Sequence, residues 1–195
     1  MVTEARASRG QKVKKLKFKQ PKLLTFDDYA RLTPPDSGNY ELLKGGIVHI
    51  PSPTEAHQTI ALKLTLQLGN YIVKHKLGQL LSPPIVVRFT PNDTMQPDIL
   101  FVSNERLSII DNQVNGAPDF IVEIGNTAKE MSYRKHIFGI QGVHEYWLIN
   151  LNKHTITQYE NIEDELIIRN KINIEGSLSS FIIEGFTVQA RDIFD

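Results

Sequence analysis

Two acidic residues stand at the limits of short apolar runs. Asp98 lies in Pro97-Asp98-Ile99-Leu100-Phe101-Val102, and Glu123 lies in Pro118-Asp119-Phe120-Ile121-Val122-Glu123-Ile124. A carboxylate beside a core needs a partner. Two ionised carboxylates roughly 4 Å apart repel by about 4 kcal/mol at an effective dielectric near 20. A hard divalent cation relieves that repulsion, since Mg²⁺ takes oxygen ligands and is often held by only one or two carboxylates with water completing its shell. Arg134 and Lys135 follow Glu123 along the chain. Acid, acid and base in that order suit metal-assisted cleavage of a phosphodiester. Taken singly, either acid is equally well read as a solvated or hydrogen-bonded strand end. Asp119 also follows a proline, but it sits beside a Gly-Ala-Pro turn, where an acid solvates or caps, and it is left outside the site.

The elements that must position these groups are legible in the pattern. Thr25 followed by Phe26-Asp27-Asp28-Tyr29-Ala30-Arg31-Leu32 reads as a capped helix closed by Pro34-Pro35. Tyr40–Leu43 and Ile47–Ile50 around Lys44-Gly45-Gly46 read as a hairpin. A long scaffold helix is predicted from Glu55 to Lys76, with Ile60, Leu64, Leu68, Tyr71 and Ile72 on one face. Strands are predicted at Val86–Phe89, around Asp98, around Glu123 and at Glu145–Ile149, the last apolar enough to be central in a sheet. Asn104 to Asn115 reads as a polar excursion.

A second helix is predicted from about Thr127 to Gln141, ended by Gly142. On it Met131, Arg134, Lys135 and Phe138 border one face. Either basic side chain can instead lay its stem on the core and expose its head. Adjacent helical side chains diverge by about 100°, so only one of the pair can aim well at the acids. Lys135 is the expected one, because a desolvated lysine can lose its proton whereas Arg134 remains a fixed cation suited to holding phosphate.

Composition narrows the chemistry. The chain has 195 residues, 41% of them hydrophobic, which is ample for a single domain. It contains no cysteine, which excludes thiolate catalysis, disulfides and cysteine-based zinc sites. No apolar stretch approaches the roughly 20 residues of a membrane span, and no secretory apolar core opens the chain, so a cytoplasmic location without membrane contact is expected. Residues 1–22 carry eight basic side chains against Glu4 alone, leaving 14 basic and 21 acidic residues in the body. The segment 1–22 reads as a basic, disordered tail, either a solubilising arm or a nucleic-acid contact, with residues 23–195 forming the domain. Walker, nucleophile-elbow and zincin motifs are missing. His136 and His144 form no metal spacing, and Trp147 reads as core.

Several segments together resemble the PD-(D/E)XK nuclease superfamily, and more closely its Uma-two branch. They are Tyr40-Glu41-Leu42 before a glycine turn, Ser52-Pro53 with His57-Gln58, Gln96-Pro97-Asp98, Val122-Glu123-Ile124, and Gly142-Val143-His144-Glu145-Tyr146-Trp147-Leu148. The resemblance runs from about Phe26 to Phe194. It implies an α/β (α+β) fold with a restriction-endonuclease-like mixed β-sheet flanked by helices, a homodimer, and Mg²⁺- or Mn²⁺-dependent endonuclease action on DNA. By the same resemblance Asp98 and Glu123 are the metal-binding acids, the Ile124 carbonyl is a further ligand, Glu41 is an accessory acid, and His57 touches substrate or water. The family's lysine has moved to the following helix, where the motif count falls on Arg134, with Lys135 one place later. Two departures, the shortened Gly125-Asn126-Thr127 segment and Gly46 at a turn position where an acid is common, support an alternative. In that reading the chain is a catalytically impaired nuclease-fold protein with a nucleic-acid-binding or regulatory role. A structural dimer whose acids merely bracket a polar cleft is the third.

Overall fold

The computed structural model describes residues 22–33, 40–125 and 128–195, with backbone alone for 128–130. The basic tail to residue 21 therefore lies outside the described residues. In chain order the elements are α1 (Phe26–Leu32), β1 (Tyr40–Leu43), β2 (Gly46–His49), α2 (Glu55–His75), β3 (Gly78–Leu81), β4 (Val87–Thr90), β5 (Asp93–Met95), β6 (Ile99–Ser103), a 3₁₀ turn (Asn104–Ile109), β7 (Ile110–Asp111), β8 (Gln113–Asn115) and β9 (Phe120–Ile124). There follow α3 (Ala128–Ile140), β10 (Glu145–Asn150), β11 (Thr155–Ile162), β12 (Glu165–Ile172), β13 (Ser177–Ser179), β14 (Thr187–Gln189) and α4 (Ala190–Phe194).

Local chemistry accounts for both early helices. Thr25 accepts from the Asp28 amide while the Asp28 carboxylate accepts from the Thr25 amide, a reciprocal capping box. Thr54 caps α2 by accepting from the His57 amide, and Lys76 ends it in the left-handed conformation. Ile60, Leu64, Leu68 and Ile72 are buried along α2, spaced by one helical turn.

The strands form a mixed sheet in the order β12-β11-β10-β9-β6-β3, a second sheet in the order β2-β1-β5-β4-β8-β7, and the ribbon β13-β14. Strands β9 and β10 run parallel, and α3 is the crossover between them, as a parallel pair requires. Their near-continuous apolar sequences follow from burial on both faces. One face of the first sheet presents Ile99, Phe101, Phe120, Val122, Trp147 and Ile149 to α2 and α4. The other presents Leu100, Val102, Ile121 and Tyr146 to Phe138 of α3 and to Val87, Phe89 and Met95 of the second sheet. With side chains alternating along a strand, Glu123 shares the second face with Ile121.

The segment 104–115, read from sequence as irregular, instead supplies the 3₁₀ turn and two short strands, because β8 pairs with the distant β4. Asp119 is a clearer correction. It is not a solvated or capping acid but only 3% exposed. Its carboxylate accepts from the Ser103 amide at 2.8 Å and from Arg106 at 2.8 Å, and Arg106 also donates to the Ala117 carbonyl. Asp119 thus pins the loop before β9 to the end of β6.

Burial by itself would raise the Asp119 pKa, but the Ser103 amide and Arg106 outweigh it and hold the carboxyl below its ordinary range. A depressed carboxyl contributes stability above its unfolded pKa and loses it as pH falls through the folded value. Asp119→Asn is therefore expected to cost about 2–3 kcal/mol at neutral pH, the range for buried hydrogen bonds to a charged group. Denaturant unfolding of both proteins should show this gap closing as pH drops below about 4, where the wild-type carboxyl also takes up its proton.

Candidate active site

Sheet register explains why Asp98 and Glu123 meet. Strands β6 and β9 are antiparallel, with Ile99 opposite Val122 and Leu100 opposite Ile121. Continuing that register by one residue sets Asp98 opposite Glu123, on the face that looks toward α3. The Ile124 amide donates to Asp98 Oδ2 at 2.7 Å, tying the acid to the neighbouring strand.

Glu41 reaches the same place from the second sheet. It lies on β1, is 1% exposed, and accepts from the Gln96 amide at 2.7 Å. The Gln96 side-chain amide donates in turn to the Tyr40 carbonyl, so Gln96 aligns β1 with the start of β6. Arg134 joins the acids of the two sheets. Its Nε and Nη2 donate to Glu123 Oε1 at 2.9 and 2.5 Å, and its Nη1 donates to Glu41 Oε2. Arg134 and Glu123 are both almost wholly enclosed. Glu41, Asp98, Glu123, Arg134, His57 and Gln96 line a cleft of about 530 Å³ whose remaining walls include Pro51, Pro53, Pro83 and Pro84.

Lys135 does not join them. Its Nζ lies 4.9 Å from the Tyr159 ring centroid and 3.5 Å from the Leu166 carbonyl, and the residue is not part of the cleft wall. The expectation that lysine would aim at the acids thus fails on geometry. The turn of α3 that directs Arg134 to β9 directs its neighbour to β11 and β12. Arg134 also has the chemistry for the place, because a planar guanidinium can serve two carboxylates at once.

His57 sits at the start of α2 with Nε2 3.2 Å from Asp98 Oδ1. The hydrogen bond to Asp98 raises its pKa against the opposing effect of burial. Its Nδ1 is buried without a hydrogen-bond partner among the described residues. Burial dominates at Glu123 and, with the charges of Asp98 and Glu41, pushes its carboxyl up to about 8 against the pull of Arg134. Burial would lower the Arg134 pKa, but Glu123 and Glu41 overcome it and keep the guanidinium charged.

The donor chemistry suits a hard cation. Asp98 and Glu123 offer carboxylate oxygens, and the cleft wall includes Ile124. Among the described residues no three His, Asp or Glu side chains form a ready-made cage. An ion that keeps most of its water and takes one or two carboxylates, as Mg²⁺ does, asks for less than that. Sequence reasoning assigned no role to Gln96, whose signal was only its place beside Pro97-Asp98.

Comparison with known proteins is consistent with this geometry. Residues 26–188 match the model of the Uma2 family, described as "Putative restriction endonuclease". The crystal structure of a putative nuclease belonging to DUF820 from Anabaena variabilis ATCC 29413 superposes with a TM-score of 0.75 at 18% identity, covering 88% of this chain and 97% of that one. At that identity the likeness speaks for the fold. No curated protein matches the chain.

Removing Arg134 leaves two buried carboxylates without their counter-charge. Arg134→Ala is accordingly expected to lower the unfolding free energy by about 3–5 kcal/mol, the cost of breaking a buried ion pair. Lys135→Ala forfeits a cation–π contact and should cost no more than about 1 kcal/mol. Urea denaturation of the two variants separates the outcomes, and equal losses would contradict the assignment of Arg134 as the buried counter-ion.

Proposed function

The chain belongs to the Uma2 family, and on that premise we propose that it is a nuclease that hydrolyses phosphodiester bonds of DNA with Mg²⁺ or Mn²⁺ as cofactor. The observation that carries this reading is the convergence of Asp98, Glu123 and Glu41 with Arg134 in one cleft. Asp98 and Glu123, with the Ile124 carbonyl, would hold the metal, and Glu41 would stand behind them. Bound there, the ion supplies Lewis acidity toward a phosphoryl oxygen and lowers the pKa of water.

This chain's own groups do the rest. Arg134 is a permanent cation whose two carboxylate partners fix its orientation, so it is placed to stabilise negative charge that grows on phosphate oxygens. It cannot act as a general base. His57, oriented by Asp98, can hold or donate a proton at Nε2, or contact a phosphate oxygen once that hydrogen bond gives way.

A second reading is supported by a specific observation. The cation beside Glu123 is an arginine, and Lys135 faces Tyr159, so among the described residues no side chain next to Glu123 offers the depressed-pKa amine of a lysine base. That arrangement suits a nuclease-fold protein that binds nucleic acid without turnover. Incubation with single-stranded, duplex and branched DNA under Mg²⁺ and Mn²⁺, together with calorimetric metal titration, distinguishes the two. Metal-stimulated cleavage that is lost in Asp98→Asn and Glu123→Gln supports the nuclease. DNA binding with no cleavage under either metal supports the alternative.

Within the nuclease reading, Arg134→Ala should reduce turnover at saturating DNA by on the order of 10² or more, as for loss of an oriented charge stabiliser. Lys135→Ala should leave turnover within about twofold, since its expected energetic role is a single exposed-type contact. The reverse pattern would return the basic role to Lys135. Because the body carries 21 acidic residues against 14 basic ones, DNA affinity should also draw on the basic segment 1–22. Deleting that segment should flatten the dependence of log affinity on log salt, which runs near −0.9 per phosphate contact for duplex DNA.

A further inference from the structure

The acidic cleft does not end at Asp98. A second recess, of about 290 Å³, lies between the first half of α2 and the connection 82–86, and it shares Pro53, His57, Pro83 and Asp98 with the cleft. Asp98, the acid proposed for the metal, and His57 therefore stand at a waist with a hollow on either side. Through Thr65 the second recess adjoins a third, which follows α2 past Gly69 to Val73. His57, Ala61, Thr65, Gly69 and Val73 recur in steps of four, so one face of the helix borders the whole run. Hollows joined end to end suit a chain of repeating units better than one compact ligand.

The walls do not suit duplex DNA. Among the residues lining the cleft and the second recess, Arg134 is the one permanent cation, and Glu41 and Glu123 engage it at the cleft floor. A duplex keeps its base faces stacked and offers mainly phosphates, which here meet few cations. The second recess instead offers apolar surface from Pro53, Ala61, Leu62 and Pro83, with the Gln58 amide and the Thr65 and Ser82 hydroxyls among it. Leu62 is 60% exposed, an apolar side chain that the fold leaves uncovered. Apolar faces with a few polar groups at the edge are what an unstacked base requires. An extended peptide fits less well, because Pro83 and Pro84 have no amide to donate and a strand laid there finds no ladder.

We propose that the DNA strand bound here is unpaired, with one phosphate at the waist beside Asp98 and the base next to it seated in the second recess. That base lies against Leu62 and Pro83 and turns its edge toward Gln58. The inference rests on the nucleic-acid reading of the same cleft.

Fluorescence anisotropy of the full chain tests it, with Ca²⁺ as a hard cation in place of Mg²⁺. The probes are a short labelled oligothymidylate, a strand of equal length built of abasic residues, and the oligothymidylate annealed to oligodeoxyadenylate. The abasic strand carries the same phosphates, so the basic segment 1–22 attracts both single strands alike and base contacts alone separate them. The unaltered chain should bind oligothymidylate at least about tenfold more tightly than the abasic strand, on the order of one base contact. Gln58 and Leu62 are exposed, so Gln58→Ala combined with Leu62→Ser should leave the circular dichroism unchanged. The double variant should cut the preference for bases by about fivefold or more, and leave affinity for the abasic strand and for the duplex as it was. Equal affinity for intact and abasic strands, a preference that the double variant does not reduce, or an equal loss on the duplex would each overturn the proposal while DNA binding at the cleft stands. If none of the three probes binds, the nucleic-acid reading itself fails and the proposal with it.

Discussion

Two carboxylates from different sheets, both almost sealed from water, have to share one cation, and the molecule is arranged around satisfying that demand. Glu41 belongs to the second sheet, Glu123 to the first, and Arg134 to the crossover helix that lies against both. An unpaired charge at either acid would be costly at this depth. Three elements distant in sequence are consequently locked at one point, and that point is the floor of the cleft. The ion pairs that join the two sheets thus also form the charged part of the cleft wall.

The parallel pairing of β9 with β10 places α3 over the face that carries Glu123. The antiparallel pairing of β9 with β6 brings Asp98 to the same face. Because every second residue of these strands turns that way, the acids sit at the end of an otherwise apolar row, where the sheet opens to solvent between Pro51-Ser52-Pro53 and Pro83-Pro84. The core supplies the rigid, low-dielectric wall and the strand ends supply the charge. Such a setting strengthens any electrostatic interaction with a substrate anion or a bound cation.

Not every buried acid in this fold lines the cleft. Glu145 is fully enclosed and accepts from Trp147, Gln158 and Ser180 side chains and from the Phe181 and Ile182 amides. Its donors are all neutral and all belong to the fold, so it fastens the segment after β13 to the central sheet. Asp119 does comparable work with Arg106 at the opposite end of β9 from Glu123. What distinguishes Asp98 and Glu123 is their place on the wall of an open cleft, not their burial or the apolar strands that carry them.

The amino-acid sequence by itself determined the Thr25 cap, the buried face of α2, the hairpin around Gly45, and the short apolar strands ending in Asp98 and Glu123. These are local patterns, set by propensity, periodicity and turn chemistry over a few neighbouring residues. The mixed sheet flanked by helices came instead from the resemblance carried by the segments around Glu41, Asp98, Glu123 and Trp147, since the local pattern alone gave many strands and two long helices. Only the tertiary structure decided which cation meets the acids. Arg134 and Lys135 are equivalent in the helical pattern until β1, β9, β11 and β12 are packed around α3, and the Arg134–Glu41 contact spans 93 positions. Asp98 and Asp119 likewise share a proline–acid pattern. One joins His57 and the cleft while the other closes on Ser103 and Arg106, because the donors that settle the difference come from other strands and loops.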